Sequence, residues 1–199
     1  MSQIVTQSSG GASPRAARYT RVAIVLHWVI AALIVVNVVL GLSADSLPDA
    51  WGRPAIDLHK SIGLTVLGLV LLRILWRVSH PPPPLPSGYS RLERVGAHLA
   101  HGGLYVLILL LPISGWLHDS AFKGAQAHPL RIFWVIPWFR IAAIRDLPAG
   151  PKEVLHGQLF ALHVWLGYAL YVLVALHILG ALKHQFVDRE KELQRMGLG

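Results

Sequence analysis

Histidine is the residue type through which this chain could carry redox chemistry. The sequence contains 11 histidines and no cysteine, which excludes disulfides, iron–sulfur clusters, thiolate zinc sites and thioether-linked haem. Several histidines fall inside long apolar segments, where an ionisable side chain is costly and usually functional. They are His27, His59, His98, His101, His163 and His177.

The depths of these histidines can be compared by counting residues from the basic side chain that ends each apolar segment, at about 1.5 Å per helical residue. His27 and His177 each lie the same number of residues from the basic residue that ends their segment. His98 and His101 lie at closely similar depths. These four therefore share one layer, and depth alone does not choose among them.

A second layer lies further from the basic ends. His59 lies nearly as far from Arg77 as His163 lies from Lys183. Because His163 and His177 are 14 residues apart, they lie on almost the same face of one helix, separated by roughly 21 Å. Paired imidazoles from different helices suit a planar metal macrocycle with two axial ligands, and iron so ligated favours electron transfer because no position is open.

The elements that carry these histidines are four apolar segments, each long enough for the roughly 20 helical residues that cross a bilayer. They span about residues 22–42, 58–76, 95–117 and 154–182. The chain is 54% hydrophobic and only 14% charged, with a mean hydropathy of +0.51, whereas soluble domains are about 25% charged. We predict an all-α, integral membrane four-helix bundle.

Other segments complete this layout. The first basic and apolar stretch resembles a secretory signal, but it is too long and contains His27 and Asn37, so we interpret it as a true span. Residues 81–84 are all proline and predict a rigid connection. Residues 130–144 are short and aromatic and predict an interfacial segment.

Charge predicts the orientation. The net charge of +8 comes from basic residues clustered at the ends of apolar segments, which favours a membrane rather than nucleic acid as the partner. The face with both termini carries 11 of the 18 Lys and Arg and 4 of the 10 acids, and the other face carries 7 and 6. The positive-inside rule then predicts a cytoplasmic tail at 1–20, the membrane domain at 21–185 and a second cytoplasmic tail at 186–199.

Together these motifs resemble the bacterial cytochrome b561 family of four-helix, di-haem membrane cytochromes, over nearly the whole chain beyond residue 20. The matching features, in chain order, are His27-Trp28, His59-Lys60-Ser61-Ile62-Gly63, Leu72-Arg73, Arg77, His98-Leu99-Ala100-His101, Tyr105, Pro112, Gly115-Trp116, His163, Gly167-Tyr168, His177 and His184. The resemblance implies haems between the helices. It implies two haem b groups, with the cytoplasmic-side iron ligated by His27 and His177 and the periplasmic-side iron by His59 and His163.

The remaining histidines then have other implied roles. His98 and His101 become non-ligands that serve in propionate contact, helix packing or a proton path. Some relatives have an acid after the first histidine of the last span, whereas Val164 follows His163 here, so His156 is the alternative ligand.

The resemblance also implies a quinone, ubiquinone or another, that exchanges electrons on the cytoplasmic side. We place the candidate site at His184, with Lys183 and Arg77 at similar depth, because imidazole can exchange a proton near neutral pH. The alternative for His184 is an interfacial histidine that only reaches toward water.

Some family members resemble superoxide oxidases, which pass an electron from superoxide to quinone. Outer basic residues could steer the anion, and they are Arg53, Lys60, Lys123, Arg131, Arg140, Arg145 and Lys152. We therefore predict a superoxide:quinone oxidoreductase of the bacterial cytoplasmic (inner) membrane.

Two other functions compete. The chain could anchor and relay electrons for a periplasmic partner, such as a dehydrogenase or hydrogenase, through the long connection at 118–153. A divalent-metal transporter is the third hypothesis, but the acids lie at most at the edges of the spans, whereas transport sites usually recruit intramembrane carboxylates.

Overall fold

Four long helices form the protein, whose computed structural model describes residues 18–198. They are α1 (Arg21–Ser43), α2 (Asp49–Ser79), α3 (Arg91–Ser120) and α5 (Ala149–Phe186). Each is apolar and long enough to cross a membrane, which confirms the predicted all-α membrane bundle. The helices are longer than the apolar segments, since α2 starts at Asp49 rather than near residue 58 and α5 has 38 residues.

The helix ends follow local chemistry. Thr20 caps α1 by accepting a hydrogen bond from the amide of Ala23 at 3.3 Å. Ser90 and Glu93 form a reciprocal capping box at the start of α3. The prolines at 81–84 lie outside any helix, between α2 and α3, as the sequence predicts.

The bundle packs as two helix pairs, α1 against α2 and α3 against α5, joined by contact between α2 and α3. Its small core centres on Ile30, Ile62, Val66 and Val70. Many other large apolar side chains of the helices are exposed. An apolar exterior over four membrane-length helices is the surface that lipid covers.

A short hairpin closes the α3–α5 connection. Strand β1 (Arg131–Ile132) pairs antiparallel with β2 (Ile136–Pro137), and helix α4 (Ala142–Arg145) follows. Ser61 of α2 accepts a hydrogen bond from the amide of Phe133 at 2.9 Å, which ties the hairpin to the bundle. The predicted interfacial segment is thus a defined hairpin, a detail that its composition alone does not indicate.

The C-terminal segment folds back onto the end of the bundle where α1 begins and α2 ends, instead of trailing away. Helix α6 (Glu192–Arg195) ends in the buried Arg195, whose Nη2 donates to the carbonyl of Pro84 at 2.7 Å. The indole of Trp28 donates to the carbonyl of Met196 at 2.9 Å. Most of the predicted N-terminal tail, residues 1–17, lies outside the described residues.

Candidate functional site

The outer layer is a pair of imidazoles from α2 and α5. His59 and His163 have ring centroids 6.1 Å apart, with planes inclined at 82°. Both rings are partly buried between the helices. The structure therefore brings together the two outer histidines that depth had paired.

The inner layer contains three imidazoles. The rings of His27 (α1) and His177 (α5) are 6.3 Å apart with planes at 70°. His101 of α3 lies nearer, 5.2 Å from His177. His98 is exposed, and its Nδ1 lies 2.6 Å from the carbonyl of Arg94 in its own helix.

These separations test whether an iron could be shared. Two imidazoles on opposite sides of one metal ion have ring centres roughly 6 Å apart, since each metal–nitrogen bond is about 2.0 Å. The pairs His59–His163 and His27–His177 fit this spacing, at 6.1 and 6.3 Å. The 5.2 Å between His101 and His177 is too short for opposed ligands, so the residues present fit two bis-histidine groups.

His59 is held in place by the neighbouring helix. Its Nδ1 donates to the carbonyl of Asn37 at 2.9 Å, which leaves Nε2 free for a metal. One turn later, a Cβ on Gly41 would come within 3.0 Å of the His59 ring. The imidazole thus lies against α1, close to the backbone of Gly41.

The same arrangement recurs at His163. Its Nδ1 lies 2.9 Å from Ser114 Oγ and 3.1 Å from the carbonyl of Leu111. Gly115 again follows that carbonyl by one turn, and a Cβ there would lie 3.3 Å from the ring. Each outer imidazole is therefore fixed by a carbonyl and a glycine one turn apart, which we call the carbonyl–glycine cradle.

The inner imidazoles lack this cradle. His27 Nδ1 faces a guanidinium nitrogen of Arg73 at 3.4 Å rather than a carbonyl. Within residues 18–198, no hydrogen bond holds a ring nitrogen of His101 or His177. The inner layer is thus crowded with rings but weakly fixed.

A buried ion network lies beside the outer layer. Asp119, 4% exposed, bonds Lys60 Nζ at 2.8 Å and Arg140 Nε at 2.8 Å. Lys60 follows His59 and also lies 3.6 Å from Asp57. Two carboxylates therefore balance the positive charge next to the outer pair.

Comparison with known proteins decides the family. A family model described as prokaryotic cytochrome b561 matches residues 18–199. This chain belongs to the prokaryotic cytochrome b561 family. It is 38% identical over 183 residues to cytochrome b561 homolog 2 of Escherichia coli strain K12, covering 90% of each chain.

Two further relatives cover the chain as fully. Cytochrome b562 of Cereibacter sphaeroides is 32% identical over 185 residues, which is 89% of this chain and 94% of that one. A probable superoxide oxidase, CybB, of Yersinia pestis is 26% identical over 182 residues, or 90% and 95%. The protein is therefore a membrane b-type cytochrome that binds haem b and transfers electrons, in the bacterial inner membrane.

The end of the bundle that carries Lys183 and His184 separates the predicted quinone residues. His184 Nδ1 and Lys183 Nζ both bond Asp188, at 2.7 and 2.8 Å, and Lys183 also pairs with Glu93. The bonds from Lys183 and His184 hold the pKa of Asp188 below its usual range. Arg77 does not join them.

Arg77 instead lies over the ring of Tyr105, 5.6 Å from its centroid. His184 instead stacks on the ring of Tyr89, with ring centroids 4.1 Å apart. Burial, together with a hydrogen bond to Glu192, raises the pKa of Tyr89 above its ordinary value. The structure thus brings two of the three predicted quinone-site residues together and adds a stacked aromatic ring.

The alternative outer ligand, His156, stacks on His118 with ring centroids 4.0 Å apart. No ring contact joins His156 to His59 within the part of the chain that the structure describes. His163 is therefore the histidine that faces His59.

Several site residues escape reasoning from the sequence. Gly41 and Ser114 look like small residues of a membrane helix, and Asp119 looks like a helix-end acid. Their contacts with His59, His163 and Lys60 come from neighbouring helices. The sequence places Gly41 and Gly115 in predicted helices, but it does not indicate that each packs against a histidine of a neighbouring helix.

Proposed function

We propose that this cytochrome carries two haem b groups and moves single electrons across the membrane from superoxide in the periplasm to a quinone at the cytoplasmic face. The observation that carries the proposal is the presence of two imidazole pairs, at 6.1 and 6.3 Å, that share α5. Because their α5 members are 14 residues apart, the layers are roughly 21 Å apart along the helix.

In this proposal His59 and His163 hold the outer haem, and His27 and His177 hold the inner one. Each haem supplies an iron that accepts or gives one electron. Because two imidazoles would hold each haem, the group would supply electron transfer rather than oxygen binding. The protein's part is to fix the imidazoles and exclude water from their surroundings.

The electron balance sets what the two faces must do. Two superoxide anions are oxidised to two molecules of oxygen, and their two electrons together with two protons reduce one quinone to quinol. His184 is the proposed proton donor because its Nδ1 bonds the carboxylate of Asp188 at 2.7 Å, which orients the ring, and because imidazole can exchange a proton near neutral pH.

Fewer basic residues are available to steer superoxide than the sequence suggests. Four of the seven outer bases form ion pairs: Lys60, Lys123, Arg140 and Arg145. Arg53, Arg131 and Lys152 form no ion pair within residues 18–198. These three are the proposed steering residues, and the name of the Yersinia pestis relative supports superoxide as the donor.

The proposed topology has both termini in the cytoplasm. The charge asymmetry supports it, with 11 basic residues on the terminal face. The fold-back of α6 onto the bundle keeps the C-terminus on that same face.

The testing experiment is haem quantification in purified full-length variants. H27L, H59L, H163L and H177L should each lose one of two haems, with the proposed partners losing the same spectral component. H98L is the matched control and should retain both. Retention of two haems in any of the four ligand variants, or wild-type protein with a single haem, would contradict the proposal.

Superoxide oxidation is tested separately, by following quinone reduction in liposomes supplied with superoxide. Replacing Arg131 with glutamine should slow the reaction more at low salt than at high salt, because steering is screened by ions. K123Q, which alters a base already paired with Glu153, is the control. Equal rates for R131Q and wild type at low salt would remove Arg131 from the steering role.

A further inference from the structure

The two layers differ in what faces the Nδ1 atom of their imidazoles. In the outer layer, Nδ1 of His59 and of His163 points to carbonyl oxygens, at 2.9 and 3.1 Å. In the inner layer, Nδ1 of His27 faces the guanidinium of Arg73 at 3.4 Å. The outer imidazoles thus face the negative ends of carbonyl dipoles, whereas His27 of the inner layer faces a full positive charge.

Arg73 is fixed in this position by two other helices. Its Nε donates to the hydroxyl of Tyr105 on α3 at 3.1 Å, and its Nη1 donates to the carbonyl of Ala23 on α1 at 2.6 Å. Both partners are neutral. Among the described residues, Arg73 forms no ion pair with a carboxylate, so its charge is held in place without compensation.

The cation beside the outer layer differs from Arg73 because it has carboxylate partners. Lys60, adjacent to His59 in sequence, lies 2.8 Å from Asp119 and 3.6 Å from Asp57. These carboxylates oppose its field at the outer imidazoles. The difference between the layers therefore lies in compensation as well as in the sign of the nearest group.

We propose that Arg73 is a positioning residue that holds the reduction potential of the inner haem above that of the outer haem, so that electrons run from the periplasmic to the cytoplasmic layer. The proposal rests on the di-haem function proposed above and adds the residue that sets the order of the two reduction potentials.

Ferric haem carries one more positive charge than ferrous haem, so an uncompensated cation nearby favours the reduced form. A carbonyl that accepts the Nδ1 proton makes the imidazole a stronger donor to iron and favours the oxidised form. Both effects act in the same direction. One electron leaves the outer iron and enters the inner one, and no proton is required at either layer.

The test is a redox titration of the full-length cytochrome in nanodiscs, with the two haems resolved by electron paramagnetic resonance and assigned with H177L. In wild type, the inner haem should be reduced first. R73Q should weaken reduction of the inner haem by at least about tenfold, which is about 59 mV for one electron, and should leave the outer haem unchanged. R73K keeps the charge and should restore most of the difference.

Arg77 provides the matched control, because it carries the same charge one turn further along α2 and lies over Tyr105 rather than beside His27. R77Q should shift the inner haem by clearly less than R73Q does. An equal shift in R77Q, an unchanged inner potential in R73Q, or reduction of the outer haem first in wild type would each overturn the proposal.

The last of these measurements needs no variant, so the proposal remains testable even where R73Q fails to fold. Failure of the di-haem function would be visible separately, as fewer than two haems per wild-type chain. Two haems with the wrong order of reduction would overturn the inferred direction alone.

Discussion

The outer and inner layers contain the same residue type at a similar spacing, 6.1 and 6.3 Å, yet they are built differently. Each outer imidazole lies in a cradle made by the helix paired with its own, α1 for His59 and α3 for His163. The inner imidazoles face a guanidinium and a third histidine ring. Spacing alone thus makes the layers look equivalent, and the groups around the imidazoles distinguish them.

This contrast implies that the protein organises its outer layer before any cofactor binds. Carbonyls fix the tautomer and orientation of both outer rings, as the hydrogen-bond partners of ligating histidines do in metal sites generally. In the inner layer, no carbonyl holds a ring nitrogen of His27, His101 or His177 within the described residues. We expect the outer layer to respond to small changes in packing and the inner layer to changes in charge.

The greatest change is expected at Asp119, whose carboxylate is 4% exposed and balances Lys60 and Arg140. D119N leaves the buried Arg140 without a carboxylate partner and Lys60 with Asp57 alone, which should cost about 3–5 kcal/mol of stability. It should also raise the outer haem potential toward the inner one, because less of the charge of Lys60 is cancelled. Thermal unfolding and redox titration measure the two effects. A stable D119N with an unchanged outer potential would show that compensation does not distinguish the layers.

The cradle is tested next, by adding a methyl group to it. In G41A the new Cβ would lie 3.0 Å from the His59 ring, so the ring or α1 must move, at a cost of about 1–3 kcal/mol. We expect lower occupancy of the outer haem with the inner haem retained, measured as the haem-to-protein ratio. G115A, at 3.3 Å, should have a smaller effect.

The control for the cradle is G96A, since a Cβ on Gly96 meets no atom within 4 Å. It should bind both haems like the wild type. Full outer occupancy in G41A would show that the glycine is not required by the imidazole.

The sequence predicts how deep along its helix a residue lies, but not which neighbouring helix it faces. Depth along a helix is readable, because a regular rise of about 1.5 Å per residue from a basic anchor places His59 and His163 in one layer. Position around the bundle is not readable, so depth grouped Arg77 with His184 although it lies over Tyr105.

Contacts between distant segments are equally hidden. Lys60 and Asp119 lie on different helices, far apart in the chain, and their ion pair exists only because α2 and α3 pack together. The sequence therefore predicted Lys60 as a steering base, whereas the structure shows its charge engaged. The four helices were predictable because lipid imposes length and apolarity on each of them separately.

A more modest change is expected at Ser114, the one feature that makes the two cradles unequal. Its Oγ lies 2.9 Å from His163 Nδ1 and donates to the carbonyl of Leu111 at 2.8 Å. S114A removes one hydrogen bond, worth about 1 kcal/mol, but leaves that carbonyl as an acceptor. Both haems should bind, with a modest fall in unfolding temperature. Loss of the outer haem in S114A would show that the hydroxyl, rather than the carbonyl, fixes the ring.

The weakest response should be to acid. The ion pairs beside the inner layer are exposed, since Asp188 bonds Lys183 and His184 at the surface where α5 ends, and these bonds lower the pKa of Asp188. A carboxyl whose pKa is lower in the folded protein stabilises it above the unfolded pKa, and this contribution is lost as the pH falls through the folded pKa. Unfolding temperatures of wild type and D188N should therefore differ slightly at neutral pH and converge in strong acid.

The matched control for this pH dependence is K123Q, which alters an exposed outer pair. Lys123 lies 4.0 Å from Glu153, and both side chains are open to water, so the pair contributes little to stability at any pH. K123Q should therefore track the wild type across the whole pH range. A difference between wild type and D188N that persists unchanged into strong acid would assign the role of Asp188 to packing rather than to charge.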